Sequence, residues 1–230
     1  MSLTAAELTA ESLTKDRDSL ISFPGGDTPL GMVKEFVRLV NAGNIDISRT
    51  RYVSLDEWVG LGRDDKGSCA YFNYTNIINK LEKPFLDYFI INGKAADIEE
   101  ERRRLNDYIH TYGPLDVSVL GIGMNGHLGF NEEGVDFSSY AHITPLAQTT
   151  KQVMVKYFDQ ARQLEYGITQ GIAHIMGARK VILIANGKHK IDILRKAFCG
   201  PVTNEVPASI LQRHPNCYLV VDGEAADFVQ

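Results

Sequence analysis

Residues 117–132 read VSVLGIGMNGHLGFNE, an apolar run that passes directly into a glycine-rich segment. The run Val117–Ile122 is almost continuously apolar, which is typical of a strand covered on both faces of a sheet. The glycines after it let the backbone turn sharply and approach a ligand closely. A buried strand followed by such a loop predicts an α/β sheet whose chemistry lies in the loops after its strands.

Strands and helices alternate over the rest of the chain. Four further apolar runs predict strands, at Leu20–Phe23, Arg51–Leu55, Val181–Ala185 and Tyr218–Val221. Amphipathic segments between them predict helices, at Pro29–Asn41, Cys69–Lys80, Ala96–Tyr112, Gly167–Met176 and Lys188–Phe198. Thr28 is expected to cap the first helix, with Pro29 at its first position. We therefore expect a single α/β domain over residues 1–230, doubly wound around a mostly parallel sheet with helices on both faces.

The composition excludes several classes of protein. Hydrophobic residues make up 44% of the chain, enough for a buried core, but the longest apolar runs are short. A membrane-spanning helix needs about 20 apolar residues, so no membrane partner is expected. The chain carries 24 basic and 29 acidic residues, a net charge of −5. It lacks the basic excess of nucleic-acid-binding proteins. Its one basic run, arginines 102–104, follows three glutamates and is interpreted as a solvated helix face.

The three cysteines, Cys69, Cys199 and Cys217, are odd in number and widely spaced, and no CxxC pair occurs. This pattern predicts unpaired thiols in a reducing compartment and no cysteine-built zinc site. Residues 1–15 contain no apolar segment of the kind found in signal peptides. A cytoplasmic location is therefore expected.

A glycine-rich loop, Pro24-Gly25-Gly26-Asp27-Thr28, follows the first predicted strand. Glycines and the free N–H groups of a helix start suit a phosphate, although the loop lacks the GK[ST] ending of a P-loop. Asp27 would repel a phosphate unless its side chain points away. A plain turn is the alternative interpretation.

A second strand-end loop, Asn186-Gly187-Lys188-His189-Lys190, carries two lysines. A lysine near a helix N-terminus opposes the helix dipole, and an anionic ligand would relieve that conflict. Ordinary surface charge is the alternative.

Two adjacent carboxylates, Asp56 and Glu57, follow the second predicted strand. Carboxylates at this position are candidates for general acid–base chemistry. Neighbouring side chains diverge along a strand, so we expect only one of the two to face a pocket. A pair of solvated loop acids is the alternative.

The segment Gly121 to Gly126 matches the dinucleotide fingerprint G-x-G-x-x-G. The fingerprint should open a helix and be followed by an acid about 20 residues later. Residues 130–134 break such a helix, and residues 140–143 hold no acid, so a nicotinamide site is not expected. The loop instead presents His127 and Glu132, an arrangement typical of a positioned proton carrier. A metal site needs more ligands than these two residues supply, and His142 is the only other nearby candidate. No metal site is therefore predicted.

Taken in order, these loops resemble the glucosamine-6-phosphate deaminase (isomerase) family, which is related to the 6-phosphogluconolactonases. The resemblance covers the chain from about Ser22 to Asp222. It rests on GGDTP at 25–29, LDEWVGL at 55–61, GIGMNGHLGFNEEG at 121–134, GKHK at 187–190 and VPASILQ at 206–212. The segment GHLGFNE at 126–132 favours the deaminase branch.

The resemblance implies a cofactor-free conversion of an amino-sugar 6-phosphate to a ketose 6-phosphate and ammonia. By the same resemblance, Asp56 carries a proton from C2 to C1 of the sugar. His127 assists opening of the pyranose ring, and Glu132 orients that histidine. Asn125 belongs to the same catalytic loop, where some family members carry aspartate. Its amide can form hydrogen bonds but holds no charge.

The phosphate-binding positions of the family fall on Gly25, Gly26, Thr28 and Lys190. Lys156 lies where the family often carries a basic residue, usually arginine, on a mobile lid. The expected partner is therefore a small sugar phosphate, bound by a monomer or a small homo-oligomer. A galactosamine-6-phosphate deaminase or isomerase, a 6-phosphogluconolactonase and a non-catalytic sugar-phosphate-binding protein are the alternatives.

Overall fold

The structure, a computed structural model, describes residues 1–14, 16–158 and 162–229, the side chain of Lys156 excepted. The strands are β1 Ser19–Phe23, β2 Thr50–Ser54, β3 Asp56–Trp58, β4 Asp87–Phe89, β5 Val117–Gly121, β6 His142–Pro145, β7 Tyr166–Thr169, β8 Val181–Ala185 and β9 Cys217–Val221. The α-helices are α1 Ser2–Ala10, α2 Asp27–Asn41, α3 Cys69–Asn76, α4 Ile98–Tyr112, α5 Gln148–Met154, α6 Ile172–Met176 and α7 Ile191–Cys199. Short 3₁₀ helices occupy Ile78–Lys80, Val155–Tyr157, Lys188–Lys190, Pro207–Arg213 and Ala225–Val229.

Six parallel strands form the main sheet, in the order β4-β2-β1-β5-β8-β9. The chain winds from β1 outward through β2 to β4, then returns to the other side of β1 and continues through β5 to β9. The winding therefore reverses between β1 and β5. In sheets of this kind ligands bind beyond the carboxyl ends of the strands at the reversal point. The mostly parallel, doubly wound sheet predicted from the sequence is confirmed.

Two hydrophobic cores lie on the two faces of this sheet. Alternate residues of β1 enter different cores, with Leu20 on one face and Ile21 on the other, as the two-residue repeat of a strand requires. Helices α4, α6 and α7 cover the first face, and helices α1, α2 and α3 cover the second. Helix α2 buries Met32, Val33 and Phe36 on one side, which is the spacing of an amphipathic helix.

A second, antiparallel sheet in the order β3-β7-β6 stands beyond the end of β2. Only Leu55 separates β2 from β3, so the chain leaves the main sheet and enters the small one within one residue. Trp58 and Phe130 pack beneath the small sheet, with ring centroids 4.5 Å apart. The small sheet thus stands over the strand ends where the winding reverses.

Most predicted elements differ from the structure by a few residues at their ends, as three of them illustrate. The helix predicted at Gly167–Met176 is wrong in its first half, because residues 166–169 form β7 between β3 and β6. A side chain at Gly167 would collide with the ring of Phe130, so the glycine reflects close packing and not a helix start. The strand predicted at Arg51–Leu55 ends at Ser54, and the helix predicted at Cys69–Lys80 ends at Asn76.

The predicted capping role of Thr28 is also wrong. Helix α2 begins at Asp27, and the residue before it is Gly26, whose φ of 107° favours glycine. Thr28 lies inside the first turn, where its hydroxyl donates to Asn186 Oδ1 at 2.9 Å. Pro29 is tolerated there because the first-turn N–H groups have no partner within the helix.

The arginine run of α4 and the three cysteines largely match the predictions made from the sequence. Arginines 102–104 pair with glutamates 99–101 across one turn of α4, at 2.6–2.7 Å. Glu101 departs from a solvated face, because it is buried and accepts a hydrogen bond from Asn92 N at 2.8 Å. All three cysteines are unpaired thiols, as predicted.

Within the described residues, no helix has both the length and the apolarity needed to cross a membrane.

Candidate active site

A cavity of about 390 Å³ opens beyond the carboxyl ends of β1 and β5, where the winding of the sheet reverses. The glycine loop after β1, the start of β3, the histidine loop after β5, helix α5 and the lysine segment after β8 all contribute to its wall. The predicted site residues that line it are Gly25, Gly26, Thr28, Asp56, Asn125, His127 and Lys190. The fold therefore gathers residues from four separate segments of the chain into one space.

Asp56 is the first residue of β3, where it lies opposite Thr169 of β7. Its side chain is buried at the cavity wall. Burial raises the pKa of Asp56 to about 6, although the Cys69 thiol and the nearby His127 act in the opposite direction. A carboxylate of this kind can both accept and return a proton near neutral pH.

Cys69 is the first residue of α3, and its thiol hydrogen-bonds the carboxylate of Asp56. Burial, together with the neighbouring carboxylates Asp56 and Glu57, raises the pKa of the Cys69 thiol well above its usual range. The thiol is therefore protonated and acts as the donor. The sequence predicts an unpaired thiol at Cys69, but it does not predict the contact between this thiol and Asp56.

Glu57 points away from the cavity and binds the start of α3. Its carboxylate accepts from Trp58 N at 2.8 Å, from Cys69 N at 3.0 Å and from Ala70 N at 2.7 Å. Burial raises the pKa of Glu57 to about 8, against the three backbone donors. The expected divergence of the two neighbouring acids is thus present, with Asp56 at the cavity and Glu57 holding a helix.

His127, Glu132 and Asn125 form one hydrogen-bonded group. Glu132 Oε2 lies 3.0 Å from His127 Nδ1 and accepts from Asn125 Nδ2 at 2.8 Å. Burial favours a neutral Glu132, but the hydrogen bond and charge of His127, with hydrogen bonds from Thr150 and Asn125, lower its pKa to about 2. Glu132 is therefore ionised at neutral pH. The imidazole lies close to Gly123, where any Cβ would collide with its ring.

The predicted phosphate-binding residues Gly25, Gly26, Thr28 and Lys190 line the same cavity. Gly25 and Gly26 precede α2, whose first turn supplies backbone N–H groups without helical partners. Thr28 and Lys190 line the same space. Lys190 Nζ donates to the carbonyl of Ile122 at 2.6 Å, which holds the ammonium group beside the histidine loop.

The side chain of Lys156 lies outside the part of the chain that the structure describes, although its backbone belongs to the 3₁₀ helix Val155–Tyr157. Among the described residues, no cluster of three or more His, Cys, Asp or Glu side chains could hold a metal ion.

Three further residues contribute to the site without having been predicted. Gly129, with a φ of +58°, brings its backbone close to Asp56, because a Cβ there would stand 3.4 Å from Asp56 Oδ2. The hydroxyl of Tyr157 would lie 3.2 Å from a Cβ at Gly26. Thr150 donates to Glu132. The glycine-rich pattern of residues 121–134 could have pointed to Gly129. No sequence pattern pointed to Tyr157 or Thr150.

The loop after β5 is not a dinucleotide-binding turn. In the described chain the next α-helix after β5 is α5, which begins at Gln148, so no helix opens after Gly126 as the fingerprint requires. Gly126, with a φ of +85°, instead turns the chain so that the following residue, His127, faces the cavity.

The family model described as glucosamine-6-phosphate isomerases/6-phosphogluconolactonase matches residues 2–219 of the chain. The chain belongs to this family. The match spans all nine strands except the last two residues of β9. Family membership therefore agrees with the resemblance carried by the strand-end motifs.

Curated relatives match over the full length of the chain. A glucosamine-6-phosphate deaminase of Clostridium perfringens (strain 13 / Type A) is 36% identical over 231 residues, covering 100% of this chain and 96% of the relative. Glucosamine-6-phosphate deaminase 1 of Bacillus subtilis (strain 168) is 33% identical, covering 98% and 94%.

Solved structures share the fold. A monomeric glucosamine-6-phosphate deaminase superposes with a TM-score of 0.92 at 32% identity, covering 99% of this chain and 95% of that one. A 6-phosphogluconolactonase from Leishmania guyanensis superposes with a TM-score of 0.74 at 16% identity, covering 99% and 96%. At that identity the lactonase shares only the fold with this chain.

Proposed function

We propose that the protein converts glucosamine 6-phosphate and water to fructose 6-phosphate and ammonia by general acid–base catalysis. One observation carries the proposal: Asp56 and His127, whose imidazole is paired with Glu132, line the same cavity as the phosphate-loop residue Thr28 and Lys190. The chain's membership in the family and its full-length similarity to named deaminases support it.

The 6-phosphate would be held by Gly26, Thr28 and Lys190, which line the cavity. The backbone N–H groups at the start of α2 are suited to phosphate oxygens, since the N-terminus of a helix favours negative charge. Anchoring the phosphate fixes the distance of the sugar ring from the catalytic groups, and such positioning lowers the barrier of every later step.

His127 would open the pyranose ring. With Nδ1 held by Glu132, the other ring nitrogen, Nε2, is available to the ring oxygen and the C1 hydroxyl. The ionised Glu132 stabilises the imidazolium that forms when the histidine takes up a proton. Ring opening exposes the C1 aldehyde, which makes the C2 proton acidic.

Asp56 would then take the proton from C2 and return it to C1. The electrons of the broken C2–H bond form the C1–C2 double bond of an enolamine as the π electrons of the C1 aldehyde move to its oxygen, which takes up a proton from solvent. Protonation at C1 then leaves an iminium group at C2, which returns a proton to solvent to give the imine. Water adds to this imine, and ammonia leaves as the C2 ketone forms. C1 is reduced as C2 is oxidised, so the reaction balances without a redox cofactor.

Ammonia release from glucosamine 6-phosphate tests the proposal. We expect turnover by the unmodified protein, and Asp56→Asn should lower kcat by at least about 100-fold, the size of general-base assistance. Asp107→Asn, an exposed acid on α4, serves as the matched control and should retain activity. An Asp56→Asn protein of normal activity would refute the proton transfer assigned to Asp56.

A panel of related substrates separates the alternatives. Galactosamine 6-phosphate differs at C4 only, and 6-phosphogluconolactone requires ester hydrolysis in place of C2 proton transfer. Faster turnover of galactosamine 6-phosphate would change the substrate but keep the roles of Asp56 and His127. A dominant lactonase activity would overturn the deaminase proposal. Binding of the sugar phosphates without turnover would indicate a sensor.

We further infer that residues 1–230 act as one domain, as a monomer or a small homo-oligomer in the cytoplasm. The two cores on the faces of one sheet support a single domain. The monomeric deaminase that shares the fold supports a monomer. The three unpaired cysteines are consistent with a reducing compartment.

A further inference from the structure

Thr150 lies in the middle of α5, buried against the catalytic loop that follows β5. Its hydroxyl donates to Glu132 Oε1 at 2.6 Å, and its oxygen lies 3.2 Å from His127 Nδ1. The backbone N–H of Ala147, just before α5, donates to the same Glu132 oxygen at 3.3 Å. Helix α5 is therefore bound to the His127–Glu132 pair through one carboxylate.

These contacts determine which ring nitrogen of His127 carries the proton in the neutral imidazole. A threonine hydroxyl has one hydrogen, and Thr150 gives it to Glu132, so its oxygen can only accept from His127 Nδ1. Glu132 Oε2, 3.0 Å from the same nitrogen, is also an acceptor. Two acceptors converge on Nδ1, which places the hydrogen there. Nε2 is left with its lone pair, and no described residue hydrogen-bonds it.

We propose that Thr150 is a positioning residue that holds Glu132 in one orientation and keeps His127 in the Nδ1–H tautomer. The proposal rests on the proposed function only for its kinetic consequence, because ring opening requires a free lone pair on Nε2. Asn125 secures the Oε2 side of Glu132 and Thr150 secures the Oε1 side. Helix α5 also forms part of the cavity wall. The position of this helix and the tautomer of His127 are therefore linked.

The test compares Thr150→Val, which keeps the shape and removes the hydroxyl, with Thr150→Ser, which keeps the hydroxyl. Thr9→Val is the matched control, because Thr9 is a buried helix threonine of α1 whose hydroxyl donates to the carbonyl of Ala5 at 2.8 Å. Nitrogen-15 NMR of the imidazoles reports the tautomer of His127, whose signals are assigned with His127→Gln. This readout does not depend on turnover.

In the unmodified protein, His127 should show a protonated Nδ1 and an unprotonated Nε2. Thr150→Val should give a mixture of tautomers and lower kcat by about 10- to 100-fold, the effect of losing one hydrogen bond to a charged group. The KM for the sugar phosphate should change less than kcat, and the pH profile should shift. Thr150→Ser and Thr9→Val should resemble the unmodified protein.

A Thr150→Val protein with an unchanged tautomer and kcat would overturn the proposal, as would an Nε2–H tautomer in the unmodified protein. The second result requires no variant, so the proposal stays testable if Thr150→Val does not fold. Failure of the unmodified protein to release ammonia would refute the proposed function and leave the tautomer assignment to be judged by NMR.

Discussion

Glu57 and Ala70 are joined by a hydrogen bond of 2.7 Å, from the backbone N–H of Ala70 to Glu57 Oε2, which ties β3 to the start of α3. The other carboxylate oxygen of Glu57 accepts from Cys69 N. Because side chains alternate along a strand, holding Glu57 on this side directs Asp56 to the opposite side, into the cavity. The same bonds bring the Cys69 thiol to Asp56. One buried acid thus organises the surroundings of its neighbour.

Removal of the Glu57 carboxylate should destabilise the fold. Glu57→Ala leaves three buried N–H groups without their acceptor, and we expect a loss of about 2–4 kcal/mol in the free energy of unfolding. Glu57→Gln keeps one carbonyl acceptor and should lose less. Urea denaturation measures both. Glu100→Ala, at an exposed ion pair on α4, is the control and should cost less than about 1 kcal/mol. Equal effects of Glu57→Ala and Glu100→Ala would contradict the prediction.

The pH dependence of kcat/KM should report the ionisation of Asp56. A base must be deprotonated to accept the C2 proton, so activity should fall as the pH drops through about 6, the raised pKa of Asp56. The hydrogen bond from Cys69 lowers that pKa, so Cys69→Ala should move the acid limb to higher pH. Cys69→Ser keeps a donor and should shift it less. Cys199→Ala, an exposed thiol, provides the control. If kcat/KM of Cys69→Ala falls at the same pH as in the unmodified protein, the thiol does not lower the pKa of Asp56.

Gly129→Ala should impair both folding and catalysis. Its Cβ would lie 2.7 Å from Thr169 Oγ1 and 3.4 Å from Asp56 Oδ2, at a φ of +58°. Gly43→Ala is the matched control, because Gly43 also has a positive φ, 77°, but no atom lies within 4 Å of its added Cβ. The control measures backbone strain alone, about 1 kcal/mol. We expect Gly129→Ala to cost more than this in thermal denaturation and to lower kcat. A stability loss equal to that of Gly43→Ala would show that the contacts do not matter.

Lys190→Ala should weaken binding of the phosphate group. The lysine lines the cavity, and removal of one cation that pairs with a phosphate should raise KM by about tenfold or more. The kcat should fall by a smaller factor, because the lysine does not contact the reacting carbons in this scheme. Inhibition by inorganic phosphate should weaken in parallel. Lys188→Ala changes an exposed lysine of the same 3₁₀ helix that does not line the cavity, and is the control. Similar KM values for the two variants would exclude a phosphate-binding role for Lys190.

The structure confirms two sequence patterns that rest on local physics. The continuous apolar run at Val181–Ala185 became β8 residue for residue, because a strand buried on both faces has to be apolar throughout. The stop after Asn41 was also visible, since Gly43 adopts the positive φ that ends the helix. Asp56, His127 and Thr28 each follow a predicted strand, and the parallel sheet brings them to one edge.

The amino-acid sequence by itself determined the alternation of buried strands and amphipathic helices, and with it the edge of the sheet at which polar groups gather. Only the tertiary structure decided that residues 166–169 form a strand, that Cys69 reaches Asp56 and that Thr150 binds Glu132. The physical reason is distance along the chain. Periodicity reflects which side of an element is buried, whereas a hydrogen bond between residues 18 positions apart depends on how separate elements pack, and no local pattern encodes that.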